Sequence, residues 1–355
     1  MQANKPLNLN GNGVVVGIID TGIDYLSEEF RDKNGKSRII SIWDQTIKGN
    51  NESDIIPFGS LYTREEINKA IEVYEAGGNP YDIVPSKDTN GHGTGMAGIV
   101  GALGKNKDIK RIAPECEFVI VKLSESAYTK KILNLEIPIF ALPTIFAAIE
   151  YLKKVLFKEK KPLVVLLPLG SNNGNHKGNN IFDSFIESVS NNVGIVIVTG
   201  SGNEADKDGH VSGRIVDKEN IEVIDLLVQE NQGYMSVEIW VDLPNIIDIN
   251  LISPSGEETG FIRGAVNVQK TNITVGLNNS TQVISGTSLA AAIGAGACVL
   301  LFQWGIVQGN YPYMYSQSIK TFLRRGVNKR GKDIYPNPQW GYGIINFYKI
   351  FEEMI

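Results

Sequence analysis

The chain has 355 residues, of which 42% are hydrophobic, and its formal net charge is −5. A chain of this length and hydrophobic content can bury a large core and is not expected to be disordered. Its 39 acidic and 34 basic residues are spread without long blocks of one sign. This charge pattern predicts neither nucleic acid nor a membrane surface as a partner.

The two cysteines, Cys116 and Cys298, both lie in apolar segments. This placement favours buried free thiols in a reducing compartment over a disulfide framework, and it does not support a metal–thiolate site. We expect no metal and no cofactor. The N-terminal residues 1–6 contain no apolar core of a signal peptide, and no later run is expected to be long and apolar enough to cross a bilayer. The sequence predicts an intracellular protein without an export signal.

The first strong signal is the apolar run Gly13–Ile19, which is typical of a strand buried on both faces of a parallel sheet. It leads directly into Asp20, Thr21 and Gly22. A carboxylate at the carboxyl end of such a strand lies where open α/β sheets place their chemistry. The alternative is that Asp20 only forms the turn after the strand, which is common for Asp before Thr-Gly.

Between Arg38 and Asn79 the sequence is more polar, and one helix is predicted. Thr63 and Glu66 form a capping-box pattern ahead of apolar residues at helical spacing. Gly77 and Gly78 should end this helix.

His92 lies in a glycine-rich stretch, residues 88–100, that also contains the spacing of a dinucleotide-binding fingerprint. A polar loop rather than a buried strand precedes it, so that fingerprint fails the test of its context. We interpret His92 as the start of a small-residue helix packed into the core. The chain has 3 histidines, His92, His176 and His210, so His92 is the best candidate for acid–base chemistry. A structural histidine is the alternative.

Strands and helices then alternate, which predicts an α/β doubly wound fold with a mainly parallel sheet. The predicted elements are strand Glu117–Leu123, helix Pro143–Lys158, strand Leu163–Leu167, helix Ile181–Ser190 and strand Gly194–Val198. Asn203 follows the last of these strands. It could donate a hydrogen bond into a cleft at this sheet edge, or it could be an ordinary turn residue.

Residues 211–270 change to a period of two and predict a β-rich insert, with strands at Ile221–Val228, Met235–Val241 and Ile247–Ile252. This divides the chain into a core of residues 1–210 and 271–355 and an insert of residues 211–270. In the second part of the core we expect a strand at Asn272–Gly276, a helix at Ser316–Arg325 and a terminal helix.

Ser288 follows Gly-Thr and precedes a run of small apolar residues, which places it in the first turn of a buried helix. Unpaired backbone N–H groups and the positive end of the helix dipole stabilise an oxygen that gains negative charge there. Ser288 is therefore a candidate nucleophile. Its alternative role is a simple helix cap.

Asp-Thr-Gly at Asp20, Gly-His-Gly-Thr at His92 and Ser-Gly-Thr-Ser at Ser288 occur in the order Asp, His, Ser. Together they closely resemble the subtilisin-like serine proteases. Further stretches resemble the clostridial Csp germination proteases, a branch that inserts a β jelly roll into the subtilisin core. Those stretches are Asp20–Tyr25, Ile42–Gln45, Leu169–His176, Glu238–Trp240, Ser253–Glu257 and Trp340–Gly343.

The resemblance implies a sheet of subtilisin type with a small antiparallel β insert, and a serine endopeptidase. Ser288 would be the nucleophile, His92 the general base and then acid, and Asp20 the group that orients the imidazole. Asn203 matches the oxyanion donor. The segment that pairs with substrate backbone matches Leu169, Gly170 and Ser171.

The resemblance to Csp also implies a biological setting in the spore. The substrate would be a protein or peptide, such as the precursor of a cortex-lytic hydrolase, and other Csp-like proteins would be candidate partners. Related members are catalytically dead and act in signalling. A non-catalytic scaffold of that kind is the rival hypothesis.

Four departures from the family bear on activity. The chain opens near the mature start rather than with a propeptide, Pro168 stands where the substrate strand usually has Ser, and Ala292 stands where most subtilases have Pro. The family's Ala-Pro-Gly loop and extra strand before the serine helix have no counterpart, and the insert is short. Because those parts build one wall of the specificity pocket, the sequence predicts an activated serine but a poor, unselective peptidase.

Overall fold

A computed structural model describes residues 7–49, 55–105, 112–132, 137–204, 207–217, 220–227, 237–241, 246–263, 287–337 and 340–352. The core of this structure is one six-stranded sheet with the order β3-β2-β4-β1-β5-β6. Its strands are β1 Val15–Asp20, β2 Ile39–Asp44, β3 Ser60–Thr63, β4 Glu117–Lys122, β5 Leu163–Leu167 and β6 Ile195–Thr199. All neighbouring strands are parallel except β2 and β3. The predicted α/β class with a mainly parallel sheet is confirmed.

Helices cover both faces of this sheet. They are α1 Arg64–Glu75, α2 His92–Gly101, α3 Ala127–Ile132, α4 Leu142–Glu159, α5 Ile181–Ser190, α6 Thr287–Phe302, α7 Ser316–Arg325 and α8 Phe347–Glu352. Residues of β1 alternate between two cores: Val16 and Ile18 join the core that contains α2 and α6, and Val15 and Ile19 join the core that contains α4. This burial on both faces explains why β1 is continuously apolar.

The start of α1 agrees with the capping residues in the sequence. Thr63 caps α1, and its backbone N–H donates to Glu66 Oε2 at 2.7 Å, so the predicted capping box is present.

The register of β1 against β4 places Asp20 opposite Lys122. The end of β1 therefore lies at the carboxyl edge of the sheet, where the strand connections can bring functional groups together.

The helix α6 corrects one expectation from the sequence. Together with the π-helical turn Gln303–Val307 that continues it, the segment Ala290–Val307 is long and apolar enough to cross a membrane. In the fold, 72% of this segment is buried. Its composition is explained by its place between the sheet and α2, where an all-round apolar helix is required.

The insert is less regular than its sequence pattern predicts. Residues 221–227 and 237–241 contain no strand. Among the described residues of the insert, the short pair β7 Asp248–Ile249 and β8 Ile262–Arg263 forms an antiparallel ladder. Alternating side chains such as Val223 and Leu227 are exposed instead of packed. The strand expected at 272–276 lies outside the described residues, and the division into core and insert stays a prediction.

A second small ladder lies near the C-terminus. It joins β9 Val327–Asn328 to β10 Ile344–Ile345 in antiparallel orientation. This pair precedes α8, which confirms the predicted terminal helix.

Candidate active site

Asp20 and His92 meet at the carboxyl edge of the sheet. Asp20 is the last residue of β1 and is fully buried, and His92 is the first residue of α2. The Nδ1 atom of His92 lies 2.9 Å from Oδ1 and 2.8 Å from Oδ2 of Asp20. The backbone N–H of Thr21 also donates to Asp20 Oδ1, at 2.7 Å, so the carboxylate is held on its strand.

This contact sets the electrostatics of the imidazole. The hydrogen bond to Asp20 raises the pKa of His92, burial opposes that shift, and the negative charges of Asp20 and Asp88 add to the increase. Because a carboxylate can only accept, the neutral His92 keeps its proton on Nδ1. The other ring nitrogen, Nε2, is then left with a lone pair, which is what a general base needs.

Ser288 lies at the second residue of α6 and is half-buried. Its Oγ donates to the backbone carbonyl of Pro168 at 2.9 Å. The structure shows no hydrogen bond between Ser288 and His92, both of which are described residues. Of the three residues of the predicted triad, the structure thus joins two, while Ser288 is hydrogen-bonded to the residue that follows β5.

Asn203 follows β6 and contacts the start of α6. Its Oδ1 accepts from the backbone N–H of Thr287 at 2.9 Å, and Gly202 N–H donates to Thr287 Oγ1 at 3.1 Å. A backbone N–H can only donate, so this contact fixes the orientation of the carboxamide. The Nδ2 group of Asn203 therefore takes no part in the contact with Thr287, and the side chain is exposed.

The predicted substrate segment lies beside Asn203. Leu169 is half-buried and its carbonyl accepts from Thr199 Oγ1 at 3.2 Å, while Gly170 and Ser171 are exposed. A side-chain carbon placed at Gly170 would lie 3.8 Å from the Cα of Gly202. Residues 169–171 and 202–203 hence border the same stretch of surface.

Other sequence expectations can be placed as well. Cys116 and Cys298 are free and buried as predicted, and burial raises the pKa of each thiol to about 12. Ala292 is fully buried within α6. Within the described residues, no group of three or more His, Cys, Asp or Glu side chains is arranged to hold a metal ion. The segment before α6 that would contain the pocket loop, residues 264–286, lies outside the described residues.

Two residues at this edge were not singled out from the sequence. Asp88 accepts hydrogen bonds from both sides of the Asp20–His92 contact, and Thr287 connects Asn203 to α6. An Asp shortly before Asn-Gly and a helix start is a local signal for a turn that caps the helix. That signal could have identified Asp88 as a capping residue, but not its contact with Thr21.

Residues 11–343 match the subtilase family. The chain therefore belongs to the subtilases, a family of serine proteases.

Among solved structures, the CspB protease of Clostridium perfringens superposes with a TM-score of 0.80 at 23% identity, covering 99% of this chain and 95% of that protein. Sphericase is similar over 95% of this chain and 92% of its own, with 17% identity and a TM-score of 0.49. MycP1 with its N-terminal propeptide removed is similar over 98% of this chain and 93% of its own, with 14% identity and a TM-score of 0.48. No curated protein matches this chain significantly.

Proposed function

We propose that this protein is a serine endopeptidase in which Ser288 attacks the substrate carbonyl, His92 transfers the proton and Asp20 orients the imidazole. The observation that carries the proposal is the contact between Asp20 and His92 Nδ1. This contact leaves Nε2 as the base, and Ser288 lies in the first turn of α6, where helix N–H groups favour an oxyanion.

In the proposed reaction, the Ser288 hydroxyl exchanges its hydrogen bond with Pro168 for one with His92 Nε2. His92 takes the proton as Oγ attacks, and the buried charge of Asp20 stabilises the imidazolium. Asn203 Nδ2 donates to the oxyanion. His92 then gives the proton to the leaving amine. In the second half of the reaction a water molecule attacks the acyl group while His92 takes its proton, and His92 returns a proton to Ser288 Oγ as the acid product leaves.

For the substrate we propose a protein precursor, such as that of a spore cortex-lytic enzyme, bound along Leu169, Gly170 and Ser171. The exposure of Gly170 and Ser171 supports pairing of this segment with an extended chain. Pro168, which has no N–H group, cannot donate to the substrate backbone. Because the sequence also lacks the family's loop and strand before the serine helix, we expect slow, unselective cleavage of short peptides.

A non-catalytic, signalling role is the second candidate, and the hydrogen bond from Ser288 to Pro168 favours it. In that case the serine would stay bound to the carbonyl, and the motifs would serve only the structure.

Labelling with a fluorophosphonate probe separates the two candidates. A small electrophile needs the nucleophile, the base and the oxyanion donor, but no specificity pocket. Wild type should be labelled, Ser288→Ala should not, and His92→Ala should be labelled more slowly by about 10²-fold or more. If folded wild-type protein is not labelled, the proposed activity is wrong and the scaffold role is favoured.

A further inference from the structure

The loop before α2, residues 84–91, is tied to the carboxyl edge of the sheet by buried and half-buried groups. Ser86 Oγ donates to Asp44 Oδ2 at 2.6 Å, and Asp44 ends β2 and is fully buried. Lys122, at the end of β4, donates through Nζ to the carbonyl of Lys87 at 2.8 Å. The loop that leads to His92 is thus fixed to two strands before it reaches the helix.

Asp88 is the next residue of this loop, and its carboxylate accepts from donors on both sides of the site. Oδ1 accepts from Thr21 Oγ1 at 2.9 Å, Gly91 N at 2.9 Å and Asn90 N at 3.2 Å. Oδ2 accepts from Thr94, from the backbone N at 2.9 Å and from Oγ1 at 2.6 Å. One side chain hence connects the residue after Asp20 with the first turn of α2.

The two threonines complete the connection. Thr21 Oγ1 accepts from Gly93 N at 3.1 Å, and Thr94 Oγ1 accepts from Asp24 N at 2.9 Å. Each hydroxyl therefore donates to Asp88 and accepts from the opposite chain segment. His92 lies between these contacts along the helix, so its backbone is held on both sides.

These hydrogen bonds stabilise the negative charge of Asp88. Burial would raise the pKa of its carboxyl, but the hydrogen bonds from Thr94, Gly91 and Thr21 together lower it, so the group is ionised at neutral pH. An anion at the start of α2 also interacts favourably with the helix dipole.

Acidic and basic side chains both lie near the loop before α2. Asp20 from β1 and Asp88 both act on His92. Lys122 Nζ lies 3.4 Å from Asp44 Oδ2, and Lys87 Nζ lies over the ring of Tyr81. The two carboxylates are thus the charges that favour the protonated imidazole.

We propose that Asp88 is a positioning residue that holds His92 against Asp20, and that its negative charge adds to that of Asp20 in acting on the imidazole. This inference rests on the proposed function, because His92 is the general base there. Asp88 does not touch the reacting atoms. It acts by fixing the helix start relative to the strand end.

The first test is an NMR titration of the histidine ring nitrogens in Asp88→Asn. With 3 histidines in the chain, the His92 signals can be assigned by comparison with His92→Ala. We expect a lower pKa of His92 in Asp88→Asn than in wild type. Asp82→Asn, the same change at an exposed residue of the preceding turn, should leave it unchanged. An unchanged pKa of His92 in Asp88→Asn would overturn the role of its charge.

The second test separates position from charge by measuring fluorophosphonate labelling above the pKa of His92, where the imidazole is neutral in every variant. Asp88→Asn should still be labelled about ten-fold more slowly or worse, because small misplacements of catalytic groups are costly. Thr21→Val keeps the charge and removes one connection, so it should also be slow while the pKa of His92 stays close to wild type.

The outcomes distinguish this inference from the proposed function. If wild type is labelled and Asp88→Asn and Thr21→Val react at its rate, the positioning role of Asp88 is wrong and the peptidase mechanism stands. If folded wild type is not labelled, the peptidase mechanism is wrong, and the titration still decides the effect of Asp88 on His92. If Asp88→Asn does not fold, Thr21→Val and Thr94→Val take its place in the labelling test.

Discussion

Gly93 lies where the helix that carries His92 approaches the loop after Asp20, and replacing it with alanine is a sharp test of the site. A Cβ atom at this position would lie 2.2 Å from the carbonyl oxygen of Gly22 and 3.2 Å from the Cβ of Asp20. The first of these neighbours is backbone and cannot rotate away. Reaching an ordinary contact distance requires the two segments to separate by roughly 1 Å.

That separation would lengthen the contact between His92 and Asp20. Added to the 2.8 Å between Nδ1 and Oδ2, a shift of this size gives about 3.8 Å, which is beyond hydrogen-bonding distance. The base would lose its orienting partner, and we expect labelling of Ser288 to fall on the order of 100-fold. Overpacking should also lower the free energy of unfolding by about 1–3 kcal/mol.

Gly98→Ala is the matched control, because it makes the same change in the same helix. A Cβ atom at Gly98 would meet no atom within 4 Å, so this variant should label at the wild-type rate. It should gain up to about 1 kcal/mol in helix propensity. Labelling rates and urea unfolding curves are measured for both variants. If Gly93→Ala labels as fast as Gly98→Ala, the close approach does not set the geometry of His92.

Four further predictions follow from particular contacts. Asn203→Ala should lower turnover in steady-state kinetics by about 10²–10³-fold with little change in KM. Unchanged turnover per folded molecule together with a lower free energy of unfolding would make Asn203 a turn former. The rate of labelling should rise as the pH passes the raised pKa of His92, because only the neutral imidazole is a base. The stability that the ion pair of His92 with Asp20 contributes should be lost over the same pH range. A labelling rate that does not change from about pH 6 to 9 contradicts this prediction. Thr63→Ala should cost about 1 kcal/mol in urea unfolding by removing the cap of α1. Arg38→Met should cost at least about 2 kcal/mol, because its guanidinium donates to four backbone carbonyls; wild-type stability would mean that water replaces it.

Elements with strong local signals were predicted within a residue or two. Helix α5 begins and ends where the sequence places it, and β5 has its predicted bounds. By contrast, β2 and β3 were not predicted. Strand β3 has four residues at the edge of the sheet, which leaves little periodicity to detect.

The insert shows the opposite failure. Its alternating pattern predicts strands at 221–228 and 235–241, yet the described parts of those ranges form none. A strand needs a partner to satisfy its backbone, and alternation gives no information about where that partner lies. In the described residues, side chains such as Leu227 are exposed to solvent rather than packed on a second sheet.

For the candidate site, the sequence by itself determined the chemical groups and their settings: a carboxylate after a buried strand, a histidine and a serine at helix starts, and an amide after another strand. These are local properties, since apolar periodicity and capping residues lie close together along the chain. Only the tertiary structure decided that His92 contacts Asp20 across 72 positions of sequence, that Ser288 donates to Pro168, and that Asp88 bridges strand and helix. Such contacts depend on strand order and helix packing, which arise from the burial of the whole sheet and are not encoded at any one position.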